Sequence, residues 1–348
     1  MGFMRVAVLG LGFMGSTHLR ALRGVARASL AAIYSSDERK LAGDLTGIQG
    51  NLGGPGEKYD FSAVKKYRDL EPLLADPEID AVDICLPTHQ HAAVAIEALR
   101  NGKHVLVEKP MALDGSHADA MIAEAQKQGR VLMTAQVLRF LPMYAALRDA
   151  LRDGSLGSVR HATFRRRCAA PAWSQWLGDS AKSGGGVFDL LIHDVDMCLH
   201  LFGMPAFVSA TGYAAPASGV DVITGELHYP GLGTAVVTGG WHHPKTYPFS
   251  MEYTVVADRG TVEYSSMGTP PTLYRDDGAV EPLPMPEKDG YQAEIEHFID
   301  CCDSGRMPEL CPPAESAAAV KLTRLMVEAR NENGGRIPCT IWTHVKSA

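Results

Sequence analysis

The sequence predicts an α/β protein of two domains: a doubly wound parallel sheet over residues 1–137, then, over 138–348, an α/β domain built on a large, open, mainly antiparallel sheet. Three observations carry this. Short apolar runs alternate with helical patterns through the first third of the chain. After Gln136 the runs lengthen and follow one another with turn residues between them. Finally, 348 residues of which 46% are hydrophobic and 21% charged are more than one core needs.

Taken in order, RVAVLG is a strand and STHLRALRG a helix; ASLAAIY is followed by DERKLAGDL, AVDICLP by HQHAAVAIEALRNG, and HVLVEK by GSHADAMIAEAQKQG, with VLMTAQV closing the set. Strands without polar alternation are buried on both faces, which is the signature of a parallel sheet with crossover helices. The glycine-rich stretch from Gly47 to Lys58 reads as a loop. PMYAALRDALRDG is one more helix and leads to the strands RHATFRRR, PAFVSATGY, DVITGELHY, GTAVVTGGW, FSMEYTVVA and GTVEYS, read as an antiparallel meander. Helices at about 185–202, 291–303 and 313–332 are interleaved with them. A sheet with helices on one side has a second face to cover, so a homodimer or homotetramer is expected.

Composition excludes several function classes. A formal net charge of -7 leaves no basic surplus for nucleic acid or an anionic membrane surface, and RHATFRRR, the one basic run, reads as a strand. No apolar run approaches the ~18 residues that a membrane span needs. Seven cysteines, an odd number without a C-x-x-C pair, point to free thiols in a reducing compartment and a cytoplasmic protein.

GLGFMG sets Gly10, Gly12 and Gly15 between an apolar strand and a helix, with Phe13 and Met14 inside the turn. In a Rossmann dinucleotide site the first glycine permits the tight turn, the second admits the pyrophosphate and the third lets helix and strand pack closely. The phosphates meet the helix N-terminus. The second strand ends in IYSSDERK, so Ser35 and Ser36 stand where an NAD site carries an acid, while Arg39 and Lys40 follow. NAD or NADP is expected, with the balance toward NADP. Leu86, Pro87, Thr88 and His91, together with Glu108, Lys109 and Gln136, end neighbouring strands at the carboxyl edge where open parallel sheets bind ligands. His89 is expected in solvent.

In the second domain GGGVFDLLIHDVDM leads three glycines into an apolar helix. At about 100° per residue Asp189, His193, Asp196 and His200 fall in one stripe of it. A helix apolar on most sides is buried, so the stripe carries titratable groups inward. As one metal site the four fail, because Asp189 and His200 lie about 16 Å apart along the axis. No metal is expected.

GLGFMG, EKP and GGG-x3-D-x3-H-x2-D, in this order, resemble the glucose-fructose oxidoreductase and inositol dehydrogenase family, Gfo/Idh/MocA; the resemblance covers nearly the whole chain. It implies NAD(P)-linked chemistry on sugars, cyclitols or their derivatives, with the family's catalytic lysine at Lys109 and its aspartate and histidine at Asp189 and His193. Asp189 raises the proton affinity of His193, which can take the hydroxyl proton of a secondary alcohol as hydride leaves, while Lys109 stabilises the same oxygen or shares the proton; the sequence does not choose between His193 and Lys109 as the terminal base. Arg139, Arg165, Trp173 and Trp176 are expected to bind the sugar-like substrate, the tryptophans by covering a ring. Two alternatives share the fold: a glycosidase that works through transient oxidation on a tightly held NAD, and a dinucleotide-sensing regulator without catalysis.

Overall fold

In the computed structural model, residues 3–50, 56–171, 176–215 and 219–340 are described. The chain divides into two units, one of residues 1–141 with 288–317 and the other of 142–287 with 318–348.

The first unit is organised by a six-stranded sheet: β1 (Met4–Leu9), β2 (Ala28–Tyr34), β3 (Lys65–Tyr67), β4 (Ala81–Ile84), β5 (His104–Glu108) and β6 (Leu132–Ala135). Their order is β3-β2-β1-β4-β5-β6 and every pair is parallel. Order reverses between β1 and β4, which makes the carboxyl ends of those strands the natural ligand crevice. Crossover helices α1 (Phe13–Leu22), α2 (Glu38–Leu41), α3 (Leu70–Ala75), α4 (His91–Arg100) and α5 (Gly115–Gln128) join them. Local chemistry sets the ends: Asp114 Oδ1 accepts from the His117 N–H at 2.9 Å to start α5, and Gly129, at φ 61°, closes it. β3 is a difference from the sequence reading, which has five strands here; KKY is short and charged, with both lysines exposed, an edge strand without an apolar signal.

The returning segment 288–317 is a second difference, since the sequence boundary at 137/138 assigns it to the other domain. Its helix buries Ile295, Phe298 and Ile299 against Val6, Leu106 and Met133 of the parallel sheet. At about 25 cal/mol per Å2 such apolar burial outweighs the cost of bringing distant chain together. Arg139 completes the join: its Nη1 donates to Leu310 O at 3.1 Å and to Glu315 Oε2 at 2.5 Å.

The second unit holds a nine-stranded sheet that begins with β7 (Val159–Ala169), preceded by α6 (Pro142–Arg152). Its other strands are β8 (Phe207–Ala215), β9 (Val220–Tyr229), β10 (Gly233–His243), β11 (Ser250–Ala257), β12 (Gly260–Ser265), β13 (Thr269–Arg275), β14 (Val280–Pro282) and β15 (Ile337–Pro338). Neighbours are antiparallel except β10 and β7, which run parallel, so the meander is interrupted once. Alternation sorts β7: Ala162, Phe164, Arg166 and Cys168 are buried, whereas His161 and Arg165 are exposed on the other face. Gly225 marks a close approach, because a Cβ there would lie 2.3 Å from the Met326 methyl.

Candidate active site

In the first unit the three turn glycines do three different jobs. Gly10 sits at φ +98°, a conformation that side chains other than glycine's rarely adopt. A Cβ on Gly15 would fall 1.9 Å from Gly10 O, so the helix can pack this closely only through glycine. A Cβ on Gly12 meets nothing within 4 Å, and Gly12 caps α1 without a side-chain bond. The turn is therefore open beside Gly12, at the end of α1 whose first N–H groups have no side-chain cap. Phe13 and Met14 are half-buried beside it. At the end of β6, Gln136 is 1% exposed and both its amide atoms lack a hydrogen-bond partner among the described residues. A buried amide left so costs about 1–3 kcal/mol, which a ligand offering both a donor and an acceptor removes. Turn and amide together fit a dinucleotide.

Ser35 is buried at the tip of β2, its Oγ accepting from the Asp37 N–H at 3.1 Å; Ser36 is exposed. Asp37 is spent as the cap of α2, accepting from the Arg39 N–H at 2.9 Å. Beyond β4, Leu86 and Pro87 are half-buried, Thr88 is buried and His89 exposed. His91 differs from its expected role. It is 1% exposed, with Nδ1 2.8 Å from Pro110 O and Nε2 2.8 Å from Leu86 O. Burial lowers its proton affinity against the pull of the two carbonyls, and with a carbonyl oxygen facing each nitrogen the ring presents neither to a ligand.

Lys109 follows β5, half-buried, and the N–H of Lys109 donates to Glu108 Oε2 at 3.0 Å. Behind it lies a group the sequence reading passes over. His18, fully buried on α1, has Nδ1 2.8 Å from Asp83 Oδ2 and Nε2 3.0 Å from Glu108 Oε1, the latter an ion-pair contact outside hydrogen-bond geometry. Burial pushes the proton off His18, but the Asp83 carboxylate outweighs it and holds the proton affinity well above the usual histidine range. His18 Nδ1, an Asp83 oxygen and Cys85 Sγ lie within 4.8 Å of one another. The nitrogen is already engaged by Asp83, and burial pushes the thiol far up, which makes the trio a hydrogen-bonded knot. The hint in the sequence is its place: three residues after Gly15, on the face of α1 that must meet the sheet.

In the second unit the glycine run, which follows the short helix α7 (Ser180–Ser183), threads a tight passage. Gly184 and Gly185 sit at φ +82° and +87°; a Cβ on Gly185 would lie 2.6 Å from Asp221 Oδ2, and one on Gly186 2.7 Å from the Trp241 ring. Asp221 accepts from the Val187 N–H at 3.0 Å and is held by Arg330 at 2.6 Å. Val187–Leu191 is a single π turn, followed by α8 (Ile192–Phe202). This corrects the straight helix expected: the i→i+5 bonds widen the turn at Asp189, so the 100° stripe does not run through it. From Val187 to Leu199 every residue is buried except Asp189 and His193, which are half-exposed. His200 is half-exposed as well; Asp196 is fully buried.

Asp194, off that stripe, anchors the helix. Both its oxygens accept from Arg166 of β7, Nε at 2.9 Å and Nη2 at 2.8 Å, and Nη2 also donates to the Tyr144 hydroxyl at 3.1 Å. Both side chains are almost wholly buried. The substrate-binding expectations fare differently. Arg139 is 1% exposed and committed to Leu310 and Glu315, which removes it from substrate binding. Arg165 pairs with Glu252 on the sheet face opposite Arg166 and α8, so it is remote from Asp189 and His193. Trp176 is half-buried against Cys168, Leu177, Leu190 and Trp241, a packing role. Trp173 lies outside the described residues.

A parallel sheet of this order with such a glycine turn defines the class, a Rossmann dinucleotide-binding fold. Family models agree: "Oxidoreductase family, NAD-binding Rossmann fold" matches residues 4–136 and "GFO/IDH/MocA C-terminal domain" residues 144–263. The chain belongs to the Gfo/Idh/MocA family of oxidoreductases. It is 32% identical over 201 residues to myo-inositol 2-dehydrogenase of Thermotoga maritima, a match covering 58% of this chain and 55% of that protein, about half its length. A match to scyllo-inositol 2-dehydrogenase (NADP(+)) of Bacillus subtilis is 27% identical and covers 95% of this chain and 97% of the other. The solved structure of UDP-N-acetylglucosamine 3-dehydrogenase from Acidithiobacillus ferrooxidans superposes with a TM-score of 0.76 at 25% identity, covering 94% and 98% of the two chains.

Proposed function

We propose that this protein is an NAD(P)-dependent dehydrogenase or reductase that moves a hydride between nicotinamide and a CH–OH carbon of a sugar, cyclitol or sugar derivative. The observation that carries the reading is Lys109 at the carboxyl edge of a parallel sheet whose glycine turn leaves open space at Gly12. Gly10, Gly12 and the α1 N-terminus would hold the pyrophosphate, and Gln136 would meet the ligand's polar groups. A bound nicotinamide supplies the hydride acceptor or donor. His193 takes the hydroxyl proton, Asp189 stands on the same segment as a second polar contact for the substrate, and Lys109 donates to the oxygen on which charge develops. The half-exposure of Asp189 and His193 on an otherwise buried segment supports these roles.

The cofactor is assigned as NADP. With Asp37 spent as a helix cap, the tip of β2 offers the Ser36 hydroxyl with Arg39 and Lys40 following, which suits a 2'-phosphate better than a ribose diol. One relative is named as an NADP(+) enzyme. Seven free thiols fit a cytoplasmic setting, among the described residues no helix is long and apolar enough to cross a membrane, and the uncovered face of the nine-stranded sheet is assigned to self-association.

The test is a screen of inositols, aldoses and glycosides with NAD and NADP in parallel, following absorbance of the reduced nicotinamide. Net reduction by a polyol is expected, and Lys109→Ala and His193→Ala should each lower kcat at least a hundredfold with cofactor binding largely kept. Glycoside cleavage without net reduction would establish the transient-oxidation alternative, and cofactor binding without turnover the sensor.

A further inference from the structure

Lys109 stands one residue past the last ladder pair of its strand, Glu108 opposite Ala135, and is followed by Pro110, which has no N–H. The sheet therefore stops directing the backbone at the residue whose side chain is assigned to the reacting oxygen. The N–H of Lys109 donates to Glu108 Oε2 at 3.0 Å. The other oxygen of that carboxylate, Oε1, lies 3.0 Å from His18 Nε2, while His18 Nδ1 lies 3.0 and 2.8 Å from the two oxygens of Asp83. Side-chain exposures are 0% for His18, 4% for Asp83 and 7% for Glu108. A ring set between two carboxylates is attracted to both only when it carries a positive charge, here through the Nδ1 hydrogen bond to Asp83 and the Nε2 ion-pair contact with Glu108. Around it, Cys85 Sγ lies 3.6 Å from Nδ1 and the Tyr291 ring 6.1 Å away, so no other cation among these contacts balances the two acids.

We propose that His18 is a positioning residue for Lys109: as an imidazolium it pins the Glu108 carboxylate, and that carboxylate fixes the Lys109 backbone by accepting its N–H. The chain of contacts runs from β4 through α1 to the end of β5, all within the first unit. Because α1 also begins at the glycine turn, one helix sets both the phosphate-facing N–H groups and, through its second turn, the presentation of the lysine. Glu108 is then the coupler: with its charge removed, the amide of Lys109 keeps an acceptor but loses the cation that orients it. The importance of Lys109 to turnover rests on the function proposed above; the mechanical link does not.

The experiment uses the full-length protein without cofactor or substrate and follows backbone amide exchange residue by residue. In His18→Gln, the Lys109 amide should exchange at least tenfold faster while Val105, Leu106 and Val107 of β5 stay within twofold of wild type. Unchanged exchange at Lys109, or a uniform acceleration across α1, β4 and β5, would overturn the proposal, the second because it reports general loosening. Should His18→Gln fail to fold with two unpaired acids, the charge-free variant His18→Gln/Asp83→Asn/Glu108→Gln removes all three charges together, and the same local acceleration at Lys109 is required of it. With cofactor and a turned-over polyol, His18→Gln should lower kcat at least tenfold and leave the dinucleotide Kd within threefold. Faster Lys109 exchange with kcat unchanged would refute the role assigned to Lys109 and leave the link standing; a lower kcat with Lys109 exchange unchanged would refute the link.

Discussion

Replacing Arg166 by methionine should leave the Asp194 carboxylate, fully buried on α8, without its counter-ion. Removing one partner of a buried pair costs about 3–5 kcal/mol, against a typical domain stability of about 5–15 kcal/mol. At about 2–4 °C per kcal/mol for a unit of this size, the second unit's melting temperature should drop by roughly 6–20 °C. The pH dependence has a definite sign. Burial pushes the Asp194 carboxyl above its usual range even with Arg166 opposing it, so without Arg166 the folded-state value stands higher still. A carboxyl raised on folding lends its stability below the unfolded value near 4 and loses it as pH rises. The defect of Arg166→Met should accordingly be largest at pH 7 and shrink toward pH 4. Arg166→Met/Asp194→Leu, which exchanges the pair for apolar groups, should return to within about 1 kcal/mol of wild type, a coupling of about 3 kcal/mol or more. The assay is urea unfolding followed by tryptophan fluorescence, which reports the second unit because all four tryptophans fall within its ranges. Single-variant costs under about 1 kcal/mol, or a double variant equal to the sum of the singles, would refute the argument.

Two further outcomes follow from local geometry. Gly15→Ala places a Cβ 1.9 Å from Gly10 O and should unfold or strongly destabilise the first unit, whereas Gly12→Ala meets nothing within 4 Å and should melt like wild type yet bind dinucleotide at least tenfold more weakly; melting curves and quenching titrations separate the two, and equal melting temperatures would contradict the packing reading. His104 is held at about 4 by burial and by Arg130, and its Nδ1 accepts from the Val131 N–H at 3.0 Å. Since its folded value lies below the unfolded 6.5, its contribution is present above pH 6.5 and lost as pH falls toward 4, about 1–2 kcal/mol after solvent screening. His104→Asn keeps an acceptor and should flatten that part of the stability curve; an unchanged slope between pH 7 and 4.5 would exclude the assignment.

The parts of the fold legible in the sequence are those whose signal is local. RVAVLG followed by GLGFMG specifies strand, turn and helix within about twenty residues, and the structure gives each glycine a separate steric reason. Strand β3 escapes because KKY lies at an edge and has no apolar face to display, and TPPTLYR carries two prolines, which argue against a strand although β13 pairs antiparallel with β12. The helix at 291–303 is legible as a helix, but its membership of the first unit is not, since nothing within Gly290–Ser304 records that its partners are Val6 and Leu106. The π turn is invisible for a related reason: it depends on Asp221 and Arg330, 34 and 143 residues beyond Val187, closing on its N-terminus.

The same distinction explains which site residues were misplaced. A charged side chain's sequence neighbourhood does not say whether its partner is water or a carboxylate far along the chain. RHATFRRR offers three adjacent arginines; Ala162, Phe164 and Cys168 share the parity of Arg166 and turn it inward, but the acid that lets a guanidinium be buried there, Asp194 on α8, lies 28 residues away. Arg139 in QVLRF is expected at the substrate, yet Glu315, 176 residues later, takes its guanidinium. His18 has Asp83 65 residues away and Glu108 90 residues away, so no local pattern marks it. For Arg166 and His18 the buried charge is tolerated because a distant acid desolvates with it, and the pair then fixes an element that bears a proposed functional residue: Arg166 and Asp194 fix the helix of His193, and His18 and Glu108 the turn of Lys109. Local motifs thus locate the groups assigned to the chemistry, while the charges that hold those groups still are found only once the chain is folded.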